Sequence, residues 1–325
     1  MIITRRAAVL AAPILLAHGA PARAQDFPNR PVTITVPFTA GGPTDVIARL
    51  LAEAMARDLG GAVVVENVTG AGGTIATARV AAARPDGHAL LFHHIGHATT
   101  ATLYRRLPYS VTDSFAPLGL ASDSAMTVIA RPDFPANDLP ELMRAIRERG
   151  DALNLGHSGL GGANQLCGML LQQAAGAAMT PVVYRGSAPA ITELVAGRLD
   201  VFCDQATNTL PFLRDARVKG YAVTSAERVP GLALPTTGEA GSPALAMSTW
   251  HGLYAPHDTP GPVQERLSAA LRAAMSDERY RQRLADLVTA PATPEQATIA
   301  HHRRFLAEEV ARWRPIIEAA GQYAD

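Results

Sequence analysis

Four short stretches of the chain have the residue types of an anion-binding site. They cover residues 38–45, 69–74, 157–163 and 185–188, and each follows a predicted strand and opens a predicted helix. Glycine leaves backbone N–H groups uncovered, and a helix N-terminus adds the positive end of the helix dipole. If the four turns meet at one sheet edge, their N–H groups surround a small anion. Ordinary turn and cap chemistry explains any one of them alone.

The first turn has the strongest pattern. Gly41 and Gly42 separate a β-branched strand at residues 32–36 from a helix that begins near Pro43. Proline suits the first helical position because its missing N–H would have no partner there. This arrangement is typical of a socket for a carboxylate. Asp45 lies in the first helical turn, where it favours the dipole, and we interpret it as a capping residue rather than a ligand contact.

Two cofactor hypotheses compete with the anion socket. Segment 70–76 has glycines spaced as in a dinucleotide fingerprint, but the next strand ends in His93-His94 and supplies no acidic partner for a ribose. The two histidines point to opposite faces of a strand, so they cannot easily share a metal. We therefore expect no cofactor and no metal, and we interpret the segment that follows as a polar loop with one ligand-facing histidine, His97.

An enzymatic hypothesis rests on Ser158. Residues 156–160 nearly match the nucleophile elbow G-x-S-x-G, but the closing glycine comes one residue late, at Gly161. A triad would also need an acid and a histidine downstream, and the available histidines lie mostly on predicted helices or polar loops. An exported serine hydrolase that uses Ser158 is the alternative to a binding protein.

Strands and helices alternate through most of the chain, which predicts an α/β fold of mainly parallel sheets flanked by helices. Two sheet-building stretches, 27–123 and 126–225, predict two lobes, and the closing helices are expected to return to the first. The chain would cross twice between the lobes, near 123–126 and 248–251, and these two strands would form a hinge. The predicted lobes are residues 25–124 with 249–325, and residues 125–248.

The N-terminus has the features of a secretory leader. Arg5-Arg6 precedes an apolar run over residues 7–17 that is too short to span a bilayer, and Ala22-Arg23-Ala24 matches an A-x-A cleavage site. We expect cleavage after Ala24 and a periplasmic mature protein. The arginine pair leaves both general secretion and twin-arginine export open.

The composition is that of a globular chain. Its 325 residues are enough for two domains, and 48% are hydrophobic and 18% charged. Without the leader, the chain has 26 basic and 29 acidic residues, and the arginines are scattered, so we expect no nucleic-acid binding. Cys167 and Cys203 are the only cysteines, and their apolar neighbours favour buried free thiols.

The motifs together resemble one protein family over essentially the whole mature chain. The first half carries Pro37-Phe38-x-x-Gly41-Gly42-x-x-Asp45, Glu66-Asn67-x-x-Gly70-Ala71-Gly72-Gly73, Pro85-Asp86-Gly87 and Leu107-Pro108-Tyr109. The second carries Tyr184-Arg185-Gly186-Ser187-Ala188-Pro189-Ala190, Gly197-x-x-Asp200 and Trp250-x-Gly252-Leu253-x-Ala255-Pro256. In this order they resemble the Bug proteins, the extracytoplasmic solute receptors of tripartite tricarboxylate transporters.

The resemblance implies a two-lobed periplasmic binding protein of the Venus flytrap type, without catalysis. It implies a small mono- or dicarboxylate, or an acidic amino acid, as the ligand, and membrane transporter subunits as the partner of a monomeric receptor. Three departures leave the identity of the ligand open: Ala163-Asn164-Gln165-Leu166 stands where Ser-x-x-His is frequent, Ala76 replaces a glycine, and Arg185 stands where a lysine is common. Arginine could grip a second carboxylate with two hydrogen bonds.

We expect the ligand-binding residues in the four turns, in one loop and at one strand end. Asp204 at the strand end would face an ammonium or hydroxyl group, or else serve only as a turn acid. The predicted residues are Phe38, Thr39, Ala40, Gly41, Gly42, Ala71, Gly72, His97, Ser158, Gly159, Gly161, Gly162, Arg185, Gly186, Ser187 and Asp204.

Overall fold

The computed structural model describes residues 27–324, so the predicted leader lies outside the described residues. Ten strands form one sheet: β1 Val32–Val36, β2 Val63–Asn67, β3 Ala89–His94, β4 Phe115–Ala130, β5 Asn154–His157, β6 Thr180–Val183, β7 Val201–Gln205, β8 Lys219–Val223, β9 Ser248–Pro256 and β10 Thr289–Pro291.

Ten α-helices flank the sheet among the described residues: α1 Pro43–Leu59, α2 Thr74–Ala81, α3 Gly96–Leu103, α4 Leu139–Arg149, α5 Ala163–Ala175, α6 Ser187–Val195, α7 Ala206–Arg214, α8 Gly261–Ser276, α9 Glu278–Asp286 and α10 Ile299–Ala320. Short 3-10 turns cover Ala71–Gly73, Gly150–Ala152 and Pro243–Leu245. No helix within residues 27–324 is both long enough and apolar enough to cross a bilayer.

The strand order β2-β1-β3-β9-β4-β7-β5-β6 divides the sheet into two parallel halves joined by antiparallel strands. In the first half β1 pairs in parallel with β2 and β3, and in the second β5 pairs in parallel with β6 and β7. We call the half with β1–β3 the first lobe and the half with β5–β8 the second lobe. The predicted two-lobed α/β architecture is confirmed, while the residue bounds of the lobes stay a prediction.

The hinge is built around β4, which is long enough to belong to both lobes. Its residues up to Ala125 pair with β9, and from Met126 onward it pairs with β7 and β8. The chain returns to the first lobe after β8, where the Thr224 N–H donates to the Met126 carbonyl and the Met247 N–H donates to the Thr224 carbonyl. The two crossings are therefore hydrogen-bonded to each other.

The prediction of free thiols is wrong, because Cys167 on α5 and Cys203 on β7 form a disulfide. Helix α5 packs on β7, which brings the two Cα atoms to 6.0 Å, inside the range that a disulfide spans. A sequence separation of 36 residues carries no sign of this approach. Both residues are buried, as expected from their apolar neighbours.

Candidate functional site

A cavity of about 610 Å³ opens between the two lobes, a size typical of small-molecule sites. All four predicted turns contribute to its lining, which joins strand ends to helix starts in both lobes. From the predicted set the cavity wall contains Phe38, Thr39, Gly42, Ala71, Gly72, Ser158, Gly159, Arg185, Gly186, Ser187 and Asp204. The structure thus brings together turns that are separated by more than 140 residues.

In the first turn, the two glycine N–H groups that we expected to be free are hydrogen-bonded within the turn itself. The Gly41 N–H donates to Asp45 Oδ2 at 2.9 Å, and the Gly42 N–H donates to the Thr39 carbonyl at 3.2 Å. The N–H groups of Thr39 and Ala40 make no hydrogen bond to any described residue. The free donors of this turn therefore come one or two residues before Gly41. Thr39 belongs to the cavity wall, whereas Ala40 and Gly41 lie behind it.

Asp45 is a structural residue, as interpreted from the sequence. It is 2% exposed, and its carboxylate also accepts hydrogen bonds from Arg49 and from Asn67 Nδ2. Burial raises its pKa, but the hydrogen bonds from Arg49, Gly41 and Asn67 outweigh burial and hold the pKa below its ordinary value. The ionised carboxylate fixes the shape of the turn instead of meeting a ligand.

The second turn supplies free donors and a close contact with the other lobe. The N–H groups of Ala71 and Gly72 have no hydrogen-bond partner among the described residues. Gly72 has a φ of 62°, and a Cβ there would lie 1.9 Å from the Leu160 carbonyl oxygen. Only glycine allows the two turns to meet so closely.

In the second lobe, a chain of hydrogen bonds links two turns to a strand end. Ser158 donates from both its N–H and its Oγ to Asn164 Oδ1, at 2.9 and 2.8 Å. Asn164 Nδ2 donates to Ser187 Oγ, and Ser187 Oγ donates to Asp204 Oδ1 at 3.0 Å. Asn208 Nδ2 donates to the other carboxylate oxygen. This network leaves oxygen lone pairs, not hydroxyl protons, facing the cavity.

The Ser158 hydroxyl has no catalytic base. Its proton goes to an amide oxygen, and the neighbouring His157 uses Nδ1 to accept a hydrogen bond from the Gly159 N–H. No described histidine is hydrogen-bonded to Ser158 Oγ. Nucleophilic catalysis by serine requires such a partner, so the geometry does not favour the hydrolase hypothesis.

The charge in the cavity comes from two residues. Arg185 is exposed, has no ion pair with a described residue, and is the only arginine or lysine in the described lining. Asp204 is 2% exposed, and burial raises its pKa to about 6 against the opposing hydrogen bonds from Asn208, Gln205 and Ser187. The wall therefore contains one permanent cation and one acid that gains its proton only as pH falls to about 6.

Besides Ala40 and Gly41, three predicted residues are not part of the cavity wall. His97 is fully buried on α3, between the rings of Phe115 and Tyr254, because the segment that we expected to be an open loop is helical. Gly161 and Gly162 belong to the third turn but are absent from the cavity wall, and their N–H groups donate to Gln165 Oε1 and the Gly159 carbonyl. Polar side chains that were not in the predicted set also line the cavity, among them His94, His157 and Asn164.

The lobes touch each other around the cavity. Tyr104 Oη donates to the Leu160 carbonyl at 3.3 Å, and Gln165 Nε2 donates to Gln322 Oε1 at 2.6 Å. A Cβ at Gly96 would lie 2.2 Å from the Gly161 carbonyl oxygen. These contacts describe a closed arrangement of the lobes.

Within the part of the chain that the structure describes, no group of three or more histidine, cysteine, aspartate or glutamate residues is arranged to hold a metal ion. The cavity wall combines free backbone N–H groups of the first two turns with one guanidinium group, which suits an organic anion.

Comparisons with known proteins agree with this geometry. Residues 47–322 match the tripartite tricarboxylate transporter family receptor (TctC). A protein of Agrobacterium vitis, from the TAR-I ttuE-ttuC' intergenic region, is 42% identical over 303 residues, or 93% of this chain and 88% of that protein. BugT of Bordetella pertussis is 30% identical over 325 residues and 99% of each chain.

Solved structures are similar over nearly their full length. The periplasmic binding protein BugD is 41% identical with a TM-score of 0.88, covering 92% of this chain and 100% of that one. MatC from Rhodopseudomonas palustris with bound malate is 38% identical with a TM-score of 0.86, covering 90% and 100%. Rpa4515 of R. palustris with adipate is 31% identical with a TM-score of 0.84, covering 91% and 99%.

Proposed function

The chain belongs to the family of tripartite tricarboxylate transporter receptors, and from this premise we propose that it captures a small dicarboxylate between its lobes in the periplasm. The single observation that carries the proposal is one cavity between the lobes whose wall combines Arg185, unpaired among the described residues, with free N–H groups of the first two turns. Two carboxylates of one ligand can occupy these two places, one in each lobe.

The first carboxylate would meet main-chain N–H groups. The free donors at residues 39, 71 and 72 belong to two turns that open helices, where the backbone dipole favours negative charge. A carboxylate accepts several such hydrogen bonds without any side-chain cation. This half of the site would hold any small acid.

The second carboxylate would meet Arg185, which gives the site its preference for a dianion. The guanidinium fork matches a carboxylate with two parallel hydrogen bonds. MatC and Rpa4515 were solved with malate and adipate, two dicarboxylates of different length, which supports the class but not a particular ligand. Delivery to membrane subunits of a transporter is proposed from family membership.

Lobe closure is the proposed mechanism. A ligand that contacts both lobes binds the closed form better than the open form and shifts the population toward it. The hydrogen-bonded crossings around Met126, Thr224 and Met247 would act as the hinge. The direct contacts between lobes, such as Tyr104 with Leu160, would stabilise the closed form further.

The test compares dicarboxylates and monocarboxylates by thermal shift and calorimetry, using malate, succinate and adipate against lactate and butyrate. A specific ligand raises the melting temperature by mass action. We expect Arg185→Ala to weaken dicarboxylate binding by about 10-fold or more and to leave monocarboxylate binding nearly unchanged. Arg147→Ala, on an exposed position of α4 outside the cavity, is the matched control. Equal losses for both ligand classes would contradict the assignment of Arg185.

A further inference from the structure

Two histidines of the cavity wall occupy equivalent places in the two lobes. His94 is the last residue of β3 and His157 is the last residue of β5, and each is followed two residues later by a glycine. In each lobe the N–H of that glycine donates to Nδ1 of the histidine, from Gly96 at 2.8 Å and from Gly159 at 3.1 Å. The same local arrangement thus appears once on each side of the cavity.

This hydrogen bond determines which ring nitrogen carries the proton. A backbone N–H can only donate, so Nδ1 must accept, and the proton of the neutral ring lies on Nε2. The adjacent His93 has the opposite tautomer, because its Nδ1 contacts the His94 carbonyl oxygen and must donate to it. The tautomer of each ring therefore follows from its own backbone contact.

Burial keeps both rings uncharged. It lowers the pKa of His94 to about 3 and also lowers the pKa of His157. Protonation would in addition place a proton on Nδ1, where the glycine N–H already points. Each ring is therefore a neutral group with a single N–H to offer.

No hydrogen bond joins Nε2 of either ring to a described residue, because the contacts of both rings run through Nδ1, and both residues line the cavity. His94 is only 3% exposed, so the cavity is the one space to which it opens. Phe38 stacks on the His94 ring at 4.3 Å between centroids, and Nδ1 is occupied by Gly96. An Nε2–H that has no protein partner and lies in the cavity wall is free to donate to a ligand oxygen, and such a hydrogen bond adds affinity.

We propose that His94 and His157 are a pair of neutral hydrogen-bond donors, one from each lobe, whose Nε2–H groups bind acceptor oxygens of the captured carboxylate. This inference rests on the proposed function and adds two ligand-binding side chains to it. A neutral donor favours carboxylate, hydroxyl or carbonyl oxygens and excludes an ammonium group from the same place. Because each lobe supplies one donor, both are engaged only when the lobes are closed on the ligand.

Calorimetry with malate tests the pair through four variants. His94→Phe and His157→Phe remove the donor and keep a planar ring, and we expect each to weaken malate binding by about 10-fold to 100-fold. His94→Gln and His157→Gln return an N–H near the Nε2 position and should recover at least half of the loss in binding free energy. His257→Phe, at an exposed residue beyond β9 and outside the cavity, is the control and should bind within about twofold of the parent.

Nitrogen-15 NMR of histidine-labelled protein separates ligand binding by the two rings from a purely structural role, because only ligand binding changes the signals of their Nε2–H groups. We expect His94 and His157 to show the Nε2–H tautomer at pH 7, and their Nε2–H signals to shift when malate is added. If malate and the other dicarboxylates do not bind the parent protein, the proposed function fails and this inference fails with it. If the parent binds but the Phe variants bind within twofold, or if NMR finds imidazolium or Nδ1–H rings, only the inference on the histidines is overturned.

Discussion

Replacing Asp204 by asparagine should stabilise the protein at neutral pH, because ionising this buried carboxyl group costs free energy in the folded state. Asp204 lies on β7, is 2% exposed, and has no arginine or lysine as an ion-pair partner among the described residues. Ser187 Oγ and Asn208 Nδ2 donate to its two oxygens at 3.0 and 2.6 Å. These hydrogen bonds favour the ionised form, but burial is the larger effect and raises the pKa to about 6 from an ordinary value of 3.8.

The magnitude follows from proton linkage. Because the folded state binds the proton more tightly than the unfolded state, the contribution of Asp204 to stability is most favourable at low pH and falls as pH rises from about 4 to 6. The pKa of Asp204 differs by roughly two units between the folded and unfolded states, which lowers the free energy of unfolding by about 3 kcal/mol at pH 7.5. At pH 4 the same relation lowers it by only about 0.5 kcal/mol. Asp204→Asn has no charge to bury and avoids this cost. The amide oxygen keeps the hydrogen bond from Ser187 Oγ, and the new NH2 group requires the Asn208 side-chain amide to turn its oxygen toward position 204.

Urea unfolding at pH 4, 5 and 7.5 measures the effect. The free energy of unfolding of Asp204→Asn should exceed that of the parent by about 3 kcal/mol at pH 7.5, and the difference should shrink to below 1 kcal/mol at pH 4. Asp258→Asn removes an exposed carboxylate and should stay within about 0.5 kcal/mol of the parent at every pH. A variant that is less stable than the parent at pH 7.5, or a difference that does not change with pH, would refute the reasoning.

Two further predictions concern closure and the disulfide. Gly96→Ala would place a Cβ 2.2 Å from the Gly161 carbonyl oxygen and 2.7 Å from Cε1 of the His94 ring, so the closed lobes must separate and the His94 ring must shift. We expect malate to bind at least 10-fold more weakly in calorimetry, whereas Gly261→Ala, with no atom within 4 Å of the new Cβ, should bind normally. Replacing Cys167 and Cys203 together by serine opens a loop with a sequence separation of 36 residues. We expect this to lower the free energy of unfolding in urea by about 3 to 4 kcal/mol. An unchanged free energy of unfolding would contradict a structural role of the disulfide.

Local patterns predicted the parallel strands and the turns after them. The β-branched run of β1, the proline at the start of α1 and the left-handed Gly60 at its end are short-range signals, and the structure has all three. The second lobe follows the same rules, with β5 and β6 each followed by a glycine-containing turn and a helix. The fold class could be predicted because the alternation of strand and helix depends on nearest neighbours.

What the sequence could not predict depends on contacts between distant segments. Strand β4 runs for 16 residues and joins the lobes because it pairs with β9 on one stretch and with β7 and β8 on the next. Helix α3 contains five residues that are not strong helix formers, and it packs against α10, which compensates for weak propensity. Sequence periodicity is a local property, so it cannot predict the strands that pair with β4 or the packing of α10 against α3.

The choice of histidine illustrates the same limit within the site. We expected His97 to face the ligand because it followed a strand in a polar segment, yet that segment continues as α3 and buries the ring. His94 lies three residues earlier and opens to the cavity. Which of two nearby histidines is accessible depends on where the strand ends and the helix begins, and element boundaries are the least certain part of any prediction from sequence.

The distribution of charge in the cavity has a consequence for selectivity. The first lobe offers backbone N–H groups and neutral His94, so it has no means of distinguishing one carboxylate from another by charge. The second lobe holds both Arg185 and the buried carboxyl group of Asp204, so it alone responds to what the ligand carries at its other end. Substitutions in the second lobe should therefore change which acid is preferred, while substitutions in the first lobe should weaken all acids alike. Comparing the ligand panel between His94→Phe and Arg185→Ala separates these two effects, because only the second should reorder the ligands.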